Sequence, residues 1–232
     1  MPDTPTNTIS DMLDDLAPDA LFKRLVELAG ADREEDEAPE PARATHVSKL
    51  PAFELEGAHE QVRAAHKATM DWLEAAERKA RPYWLSLLGK SGCGKTHLLR
   101  LARAVLKDRG CGVVMTTWRE ALDNLRSGGD FMRHLVEQRY LLIDDVGAEF
   151  NATAKAMNFS HSALCELADA RIHRWTMLTS NLSLKDLAEE ELRVASRLVR
   201  HGNLVYPMDQ APDYAMARYR ALRASQPPLP QQ

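Results

Sequence analysis

The chain has 232 residues, of which 44% are hydrophobic and 28% charged, and its formal net charge is −4. These proportions are close to the globular average, which argues against wholesale disorder, and no stretch approaches the ~18 consecutive apolar residues of a membrane span. Three cysteines without a C-x-x-C pair (Cys93, Cys111 and Cys165) argue against a disulfide framework and a zinc site, so with no signal peptide pattern we expect a cytoplasmic protein.

The charge is unevenly distributed along the chain. Residues 1–45 carry 12 acidic and 4 basic side chains, whereas residues 193–232 carry 6 arginines and 2 aspartates. Within the acidic extension, an apolar stripe predicts a helix over 18–30, and the acidic, proline-bearing segment 31–45 predicts a linker. The helix either docks a partner protein or packs on its own domain, or the segment is a partly disordered tail.

Residues 46–225 are predicted to form one domain, and 226–232 a disordered tail. The predicted strands are 83–88, 113–117, 140–146, 175–180 and 204–207, and the predicted helices are 57–81, 95–109, 118–126, 155–174, 184–200 and 213–224. Continuous apolar strands that alternate with helices are typical of an α/β fold, with a parallel sheet covered on both faces.

The segment GKSGCGKT matches the phosphate-loop pattern G-x-x-x-x-G-K-[ST] in full, and it follows a predicted strand and opens a predicted helix. Its glycines would let backbone N–H groups turn inward around an anion. Lys95 would reach the β- and γ-phosphates of ATP, and Thr96 would bind Mg²⁺. The nucleotide-binding residues are therefore predicted to be Gly89, Lys90, Ser91, Gly92, Cys93, Gly94, Lys95 and Thr96.

Two aspartates follow the third apolar strand, in the segment LLIDD. Ligands bind beyond the carboxyl ends of parallel strands, and successive side chains on a strand point to opposite faces. We therefore expect different roles for the two carboxylates. Asp144 would hold Mg²⁺, and Asp145 would polarise the attacking water.

Two further residues are candidates for the same chemistry. Asn181 ends the fourth strand and could orient the water or sense the γ-phosphate, although Asn commonly ends strands.

The second candidate lies on the predicted helix 184–200, which carries two neighbouring arginines. Glu189 stands four residues before Arg193 and is expected to pair with it. Arg197 has no acid three or four residues away, which favours an arginine finger that acts on a neighbouring subunit; the alternative is a solvated basic flank.

The segments GKSGCGKTHLL, LLIDDVGAE, MLTSN and RVASRL, in that order, resemble the DnaC-type helicase loaders and their IstB-type relatives among the AAA+ ATPases. The resemblance covers roughly residues 50–220. It implies a P-loop fold with five parallel strands, ATP with Mg²⁺, ATP-dependent homo-oligomers and single-stranded DNA binding. By this resemblance, Lys95 and Thr96 would contact the phosphates and the metal ion, and Asp144 would also bind the metal. Asp145 would orient the attacking water, Asn181 would be the first sensor of the γ-phosphate, and Arg197 would be the arginine finger.

The sequence departs from wider AAA+ practice in three respects. Asp145 replaces the usual Glu, so weak intrinsic hydrolysis is expected. Few residues follow Ser183, so we expect no full helical lid, and Arg218 is a candidate second sensor. The extension 1–45 does not match the family's helicase-binding domain residue by residue.

The leading functional hypothesis is a helicase loader that docks a replicative helicase through its acidic extension. The basic C-terminal forty residues would contact single-stranded DNA. A transposase helper acting on duplex DNA, a small-molecule kinase and a nucleotide-gated switch with little turnover stay open as alternatives. The kinase is disfavoured because 151–158 contains no arginine for a mobile lid.

Overall fold

A computed structural model describes Leu55, residues 57–128, 130–147 and 153–214, and Met216. The acidic extension 1–45, the tail 226–232, Arg218 and most of the predicted last helix lie outside the described residues. The domain boundaries therefore stay predictions.

The described part of the chain alternates helices and strands. The helices are α1 (Glu60–Glu77), α2 (Lys95–Asp108), α3 (Trp118–Arg126), α4 (Phe131–Glu137), α5 (Ala154–Ala170), α6 (Leu184–Glu190) and α7 (Leu192–Val199). The strands are β1 (Trp84–Leu88), β2 (Val113–Thr117), β3 (Tyr140–Val146), β4 (Trp175–Ser180) and β5 (Leu204–Pro207). None of the described helices has the length and apolar character needed to cross a membrane.

The five strands form one sheet in the order β2-β3-β4-β1-β5, and every pairing is parallel. The central strands β1 and β4 are buried along their whole length, whereas the outer strands β2 and β5 are mostly half-buried. This arrangement confirms the predicted α/β class with a parallel sheet flanked by helices.

Each face of the sheet supports its own hydrophobic cluster. On β1, Leu85 and Leu87 pack into the cluster formed with α1 and α2, whereas Trp84 and Leu88 pack into the cluster formed with α3, α5 and α7. This alternation follows from the two-residue period of a strand. Because all strands run in the same direction, their last residues meet at one edge, the carboxyl edge, and their first residues meet at the amino edge.

The structure departs from the predicted elements at two places. Residues 131–137 form α4, which the sequence pattern does not predict. The predicted helix 184–200 is two helices, because Glu191 adopts an extended backbone (φ −153°, ψ 92°) between α6 and α7. The Glu191 side chain accepts a hydrogen bond from the Arg193 backbone N–H and so caps α7.

Candidate nucleotide-binding site

The phosphate loop connects β1 to α2 at the carboxyl edge. The Gly89 N–H donates to the Ser180 carbonyl at 3.1 Å, which fixes the start of the loop against β4. Gly89, Gly92 and Gly94 all have positive φ angles, of 139°, 79° and 99°. A Cβ atom on Gly89 would lie 2.7 Å from the Met208 carbonyl carbon, so this position requires glycine.

Lys95 is the first residue of α2, and its side chain folds back into the loop. Its Nζ donates to the carbonyl oxygens of Gly89 and Lys90, both at 2.6 Å. Cys93 is fully buried beside it, with Sγ 3.7 Å from Lys95 Nζ and 3.0 Å from the Lys90 carbonyl. The loop thus places an ammonium group at a helix N-terminus, where the helix dipole also favours an anion.

Thr96 and Asp144 meet across the carboxyl edge. The Thr96 hydroxyl donates to Asp144 Oδ1 at 3.0 Å, and the Thr179 hydroxyl donates to the same oxygen at 2.6 Å. Among the described residues, none hydrogen-bonds to the other carboxylate oxygen. A hydroxyl and a carboxylate are hard oxygen donors of the kind that Mg²⁺ prefers beside substrate phosphates, so this pair fits the metal implied by the resemblance.

Asp145 points elsewhere because β3 bulges at this point. The pairing with β4 shifts between Ile143 and Val146, and Asp145 adopts a left-handed backbone with φ 61°. Its N–H donates to the Thr179 hydroxyl at 2.9 Å, and its carboxylate accepts a hydrogen bond from the Asn181 side-chain amide. A bulge that re-aims a side chain is common beside active sites. The two aspartates therefore present their carboxylates in different surroundings, as expected.

Thr179 is the residue of this site that sequence reasoning missed. Its hydroxyl donates to Asp144 and accepts from the backbone of Asp145, so it connects the two acids. Ser180 acts alongside it, since its hydroxyl donates to the Val146 carbonyl at 2.6 Å. The available signal was two adjacent hydroxyls at the end of an otherwise apolar strand, next to Asn181.

A second feature that the sequence did not reveal is the segment 208–214, here called the C-terminal strap. The Met208 N–H donates to the Leu88 carbonyl at 2.7 Å, and the Tyr214 N–H donates to the Gly92 carbonyl at 3.1 Å. A Cβ atom on Gly92 would collide with the Asp213 carboxyl group. The strap therefore packs directly on the phosphate loop.

The strap also contacts the start of α1. The Tyr214 hydroxyl accepts from the His59 N–H at 2.7 Å. Asp209 faces the phosphate loop, and burial, with a smaller contribution from Asp186, raises the pKa of its carboxyl. The rim of the site thus combines the carboxylate of Asp209 with the ammonium groups of Lys90 and Lys95.

Arg197 lies apart from the phosphate loop, and the prediction that it is unpaired is wrong. Its Nε and Nη2 donate to the two carboxylate oxygens of Asp169, each at 2.7 Å. Asp169 is near the end of α5, which leads into the first residue of β4, so the pair lies towards the amino edge. The expected ion pair between Glu189 and Arg193 is also wrong. Arg193 pairs with Glu191 at 2.8 Å, and Glu189 contacts Lys185 instead.

No family model and no curated protein matches the chain. Solved structures do match it. A DNA replication initiation factor is 21% identical, with a TM-score of 0.52 and alignment over 72% of this chain and 50% of its own. The DnaC helicase loader is 18% identical, with a TM-score of 0.52 and alignment over 64% of this chain and 90% of the loader's. The replication initiator DnaA bound to AMPPCP and single-stranded DNA is 20% identical, with a TM-score of 0.51 and alignment over 74% of this chain and 54% of the DnaA chain.

The chain has a P-loop AAA+ fold. The predicted resemblance to DnaC-type loaders is therefore confirmed at the level of the fold. The chain spans about half the length of the initiation factor and of DnaA, and most of the length of the DnaC structure. Within this AAA+ fold, the predicted residues Lys95, Thr96, Asp144, Asp145 and Asn181 lie together at the carboxyl edge, whereas Arg197 does not.

Proposed function

We propose that this protein is a slow ATPase that loads a replicative helicase onto single-stranded DNA. The observation that carries the ATPase part is the hydrogen bond between Thr96 and Asp144. These residues are far apart in sequence and belong to two separate motifs, yet their oxygens meet beside the phosphate loop.

In this proposal each residue has a distinct task. Lys95 and the loop N–H groups bind the triphosphate, and Thr96 and Asp144 hold Mg²⁺, which neutralises phosphate charge when bound. Asp145 orients the attacking water and Asn181 positions the Asp145 carboxylate. The short side chain of Asp145 and its contact with Asn181 support slow turnover in an isolated subunit.

The partner part of the proposal rests on two kinds of support. The fold is similar to that of a DnaC helicase loader and of a DnaA structure bound to single-stranded DNA. The acidic extension 1–45 has a composition suited to a protein partner rather than to DNA. ATP would assemble several copies of the chain on the DNA strand.

Replacement of Lys95 tests the nucleotide site. We expect Lys95→Ala to weaken ATP binding by about 10- to 100-fold or more, because a hydrogen bond to a charged group contributes about 1.5–3 kcal/mol. Lys107→Ala is the matched control, since Lys107 is an exposed lysine in the last turn of the same helix. Equal ATP affinity for Lys95→Ala, Lys107→Ala and the parent in a fluorescent-nucleotide titration would refute the assignment.

Co-purification tests the partner. The full chain, immobilised with ATP, is expected to retain a replicative helicase, and deletion of residues 1–45 is expected to abolish retention without loss of ATP binding. Retention of a transposase instead of a helicase would favour the transposase-helper alternative.

A further inference from the structure

A cleft lies at the amino edge of the sheet, opposite the phosphate loop. Its volume is about 520 Å³. It is lined by Arg139 and by the turn between α5 and β4. Ligand pockets are typically about 300–1,000 Å³, so the cleft is large enough for a nucleotide unit. None of the residues in the candidate nucleotide site belongs to it.

Arg139 is the first notable group in this cleft. Its guanidinium lies over the rings of Tyr140 and Trp175, with centroid distances of 5.2 and 5.6 Å. Among the described residues, none forms a hydrogen bond or ion pair with it. A guanidinium that is held by stacking keeps its N–H donors available in a fixed plane, which suits a phosphate group.

Two further side chains, those of His173 and Arg174, line the same cleft. His173 is exposed and contacts the Tyr83 ring edge-on, at 5.6 Å between centroids. Arg174 is also exposed, and its Nη1 donates to the Glu137 carbonyl at 2.9 Å. The cleft therefore combines guanidinium groups with an aromatic ring that solvent can reach.

The carboxylate in the lining does not cancel this positive charge. Asp169 accepts both hydrogen bonds from Arg197, which hold the pKa of its carboxyl below the usual range, and Arg200 and His201 add to that effect. Arg197 and Arg200 come from the C-terminal part of the chain, where the sequence has its basic excess. The surroundings of the cleft are thus net positive at neutral pH.

We propose that this cleft binds the backbone of a single-stranded nucleic acid, with Arg139 and Arg174 contacting phosphates and His173 offering its ring to a base. The combination of planar cations and an accessible ring favours a nucleotide strand over an acidic peptide, which offers carboxylates but no base to stack. The inference rests on the proposed DNA-binding function. It locates the strand at the edge opposite ATP, so both ligands can be bound together.

The test uses the full chain and a labelled single-stranded oligonucleotide, followed by fluorescence anisotropy. We expect Arg139→Ala and Arg174→Ala each to weaken binding by about 10-fold, as expected when a hydrogen bond to a charged group is removed. The slope of log affinity against log salt should become shallower by about 0.7 for each phosphate that a variant no longer binds. Arg139→Lys keeps the charge without the planar fork and should fall between the parent and Arg139→Ala.

Arg126→Ala is the matched control, because Arg126 also lies over an aromatic ring, that of Phe159 at 5.3 Å, but neither residue lines the cleft. It should bind the oligonucleotide as the parent does. Parent-like binding by both Arg139→Ala and Arg174→Ala would overturn the proposed site while leaving the DNA-binding function intact. Tighter binding of an acidic peptide of equal charge would overturn the proposed occupant of the cleft. Failure of the parent to bind the oligonucleotide would overturn both the site and the DNA-binding function. Binding of ATP is independent of each outcome.

Discussion

Asp144 and Asp145 are adjacent, yet the bulge in β3 gives their carboxylates different partners. Asp145→Asn preserves size and tolerates the left-handed backbone, but it removes the negative charge that would orient water. We expect ATP hydrolysis to fall about 100-fold or more, since a general base contributes about 100- to 10,000-fold, while ATP affinity changes little. Phosphate release and nucleotide titration measure the two effects. Asp130→Asn, at an exposed position, is the control, and unchanged hydrolysis in Asp145→Asn would contradict the assignment.

Thr179 connects the two acids through one hydroxyl, and it is almost fully buried. Thr179→Val keeps the shape but leaves the Asp145 N–H without its acceptor, which should cost about 1–3 kcal/mol of unfolding free energy. It should also raise the Mg²⁺ concentration needed for nucleotide binding, because Asp144 loses one of its two hydrogen bonds. Urea unfolding and a Mg²⁺ titration measure these changes. Thr179→Ser retains the hydroxyl and should resemble the parent. If Thr179→Val also has the stability and the Mg²⁺ requirement of the parent, Thr179 has no positioning role.

At the scale of elements, Arg171 attaches α4 to the start of β4. Its guanidinium is fully buried, donates to the carbonyls of Leu135 and Gln138, each at 2.7 Å, and lacks a carboxylate partner among the described residues. Burial lowers its pKa to about 9, which still leaves it charged at neutral pH.

Arg171→Met would leave several buried carbonyls without donors. We expect a loss of about 3 kcal/mol or more of unfolding free energy, since each unsatisfied buried group costs about 1–3 kcal/mol. Arg133→Ala on α4, the helix that Arg171 attaches, removes only an exposed ion pair with Glu137 and should cost less than about 1 kcal/mol. Urea unfolding compares the two variants. Equal losses in both would show that the buried contacts of Arg171 contribute little.

The break between α6 and α7 predicts a pH dependence. Pairing with Arg193 lowers the pKa of Glu191 from 4.5 to about 2. Because the folded pKa is the lower one, this stabilisation is present above pH 4.5 and is lost as pH falls towards 2. Glu191→Gln should cost about 1 kcal/mol at pH 7, as for removal of an N-cap, and less at pH 3. Glu190→Gln is the control; a pH-independent gap for Glu191→Gln in urea unfolding would contradict the assignment.

The sequence was sufficient for the parts of the fold that local patterns determine. The five apolar strands and the phosphate loop were predicted because strand periodicity and glycine spacing are local properties. The order of the strands also brought Asn181 beside Asp145, as expected for the tip of β4. Helix α4 was missed because it is short and carries one fully buried side chain, Leu135, so its apolar pattern is weak.

One remaining error concerns a pairing between residues that are distant in sequence. Arg197 was considered unpaired because only its own helix was searched for an acid, whereas its partner Asp169 lies on α5. Such a pairing depends on tertiary packing, which periodicity does not encode. A second error is local, because the helix pattern over 184–200 gave no sign that Glu191 would break the helix and cap α7.

At the scale of the whole molecule, the position of Arg197 bears on how subunits would cooperate. It lies towards the amino edge, whereas the phosphate loop is at the carboxyl edge, so a finger role requires a neighbouring subunit. Under the hypothesis that Arg197 is such a finger, Arg197→Ala should keep its own ATP site but leave its neighbour without the finger. Lys95→Ala should lose its ATP site but keep the finger. We expect each variant alone to hydrolyse ATP poorly and a mixture of the two to recover part of the parent rate.

Asp169→Asn separates this role from a structural one. It removes the carboxylate partner but keeps the Arg197 guanidinium, so a finger should still act and hydrolysis should be retained. A merely structural ion pair predicts instead that Asp169→Asn and Arg197→Ala lose activity and stability alike, and that mixing with Lys95→Ala restores nothing. Phosphate release over a range of subunit ratios distinguishes the two cases, because rescue in trans must peak when both variants are present in comparable amounts.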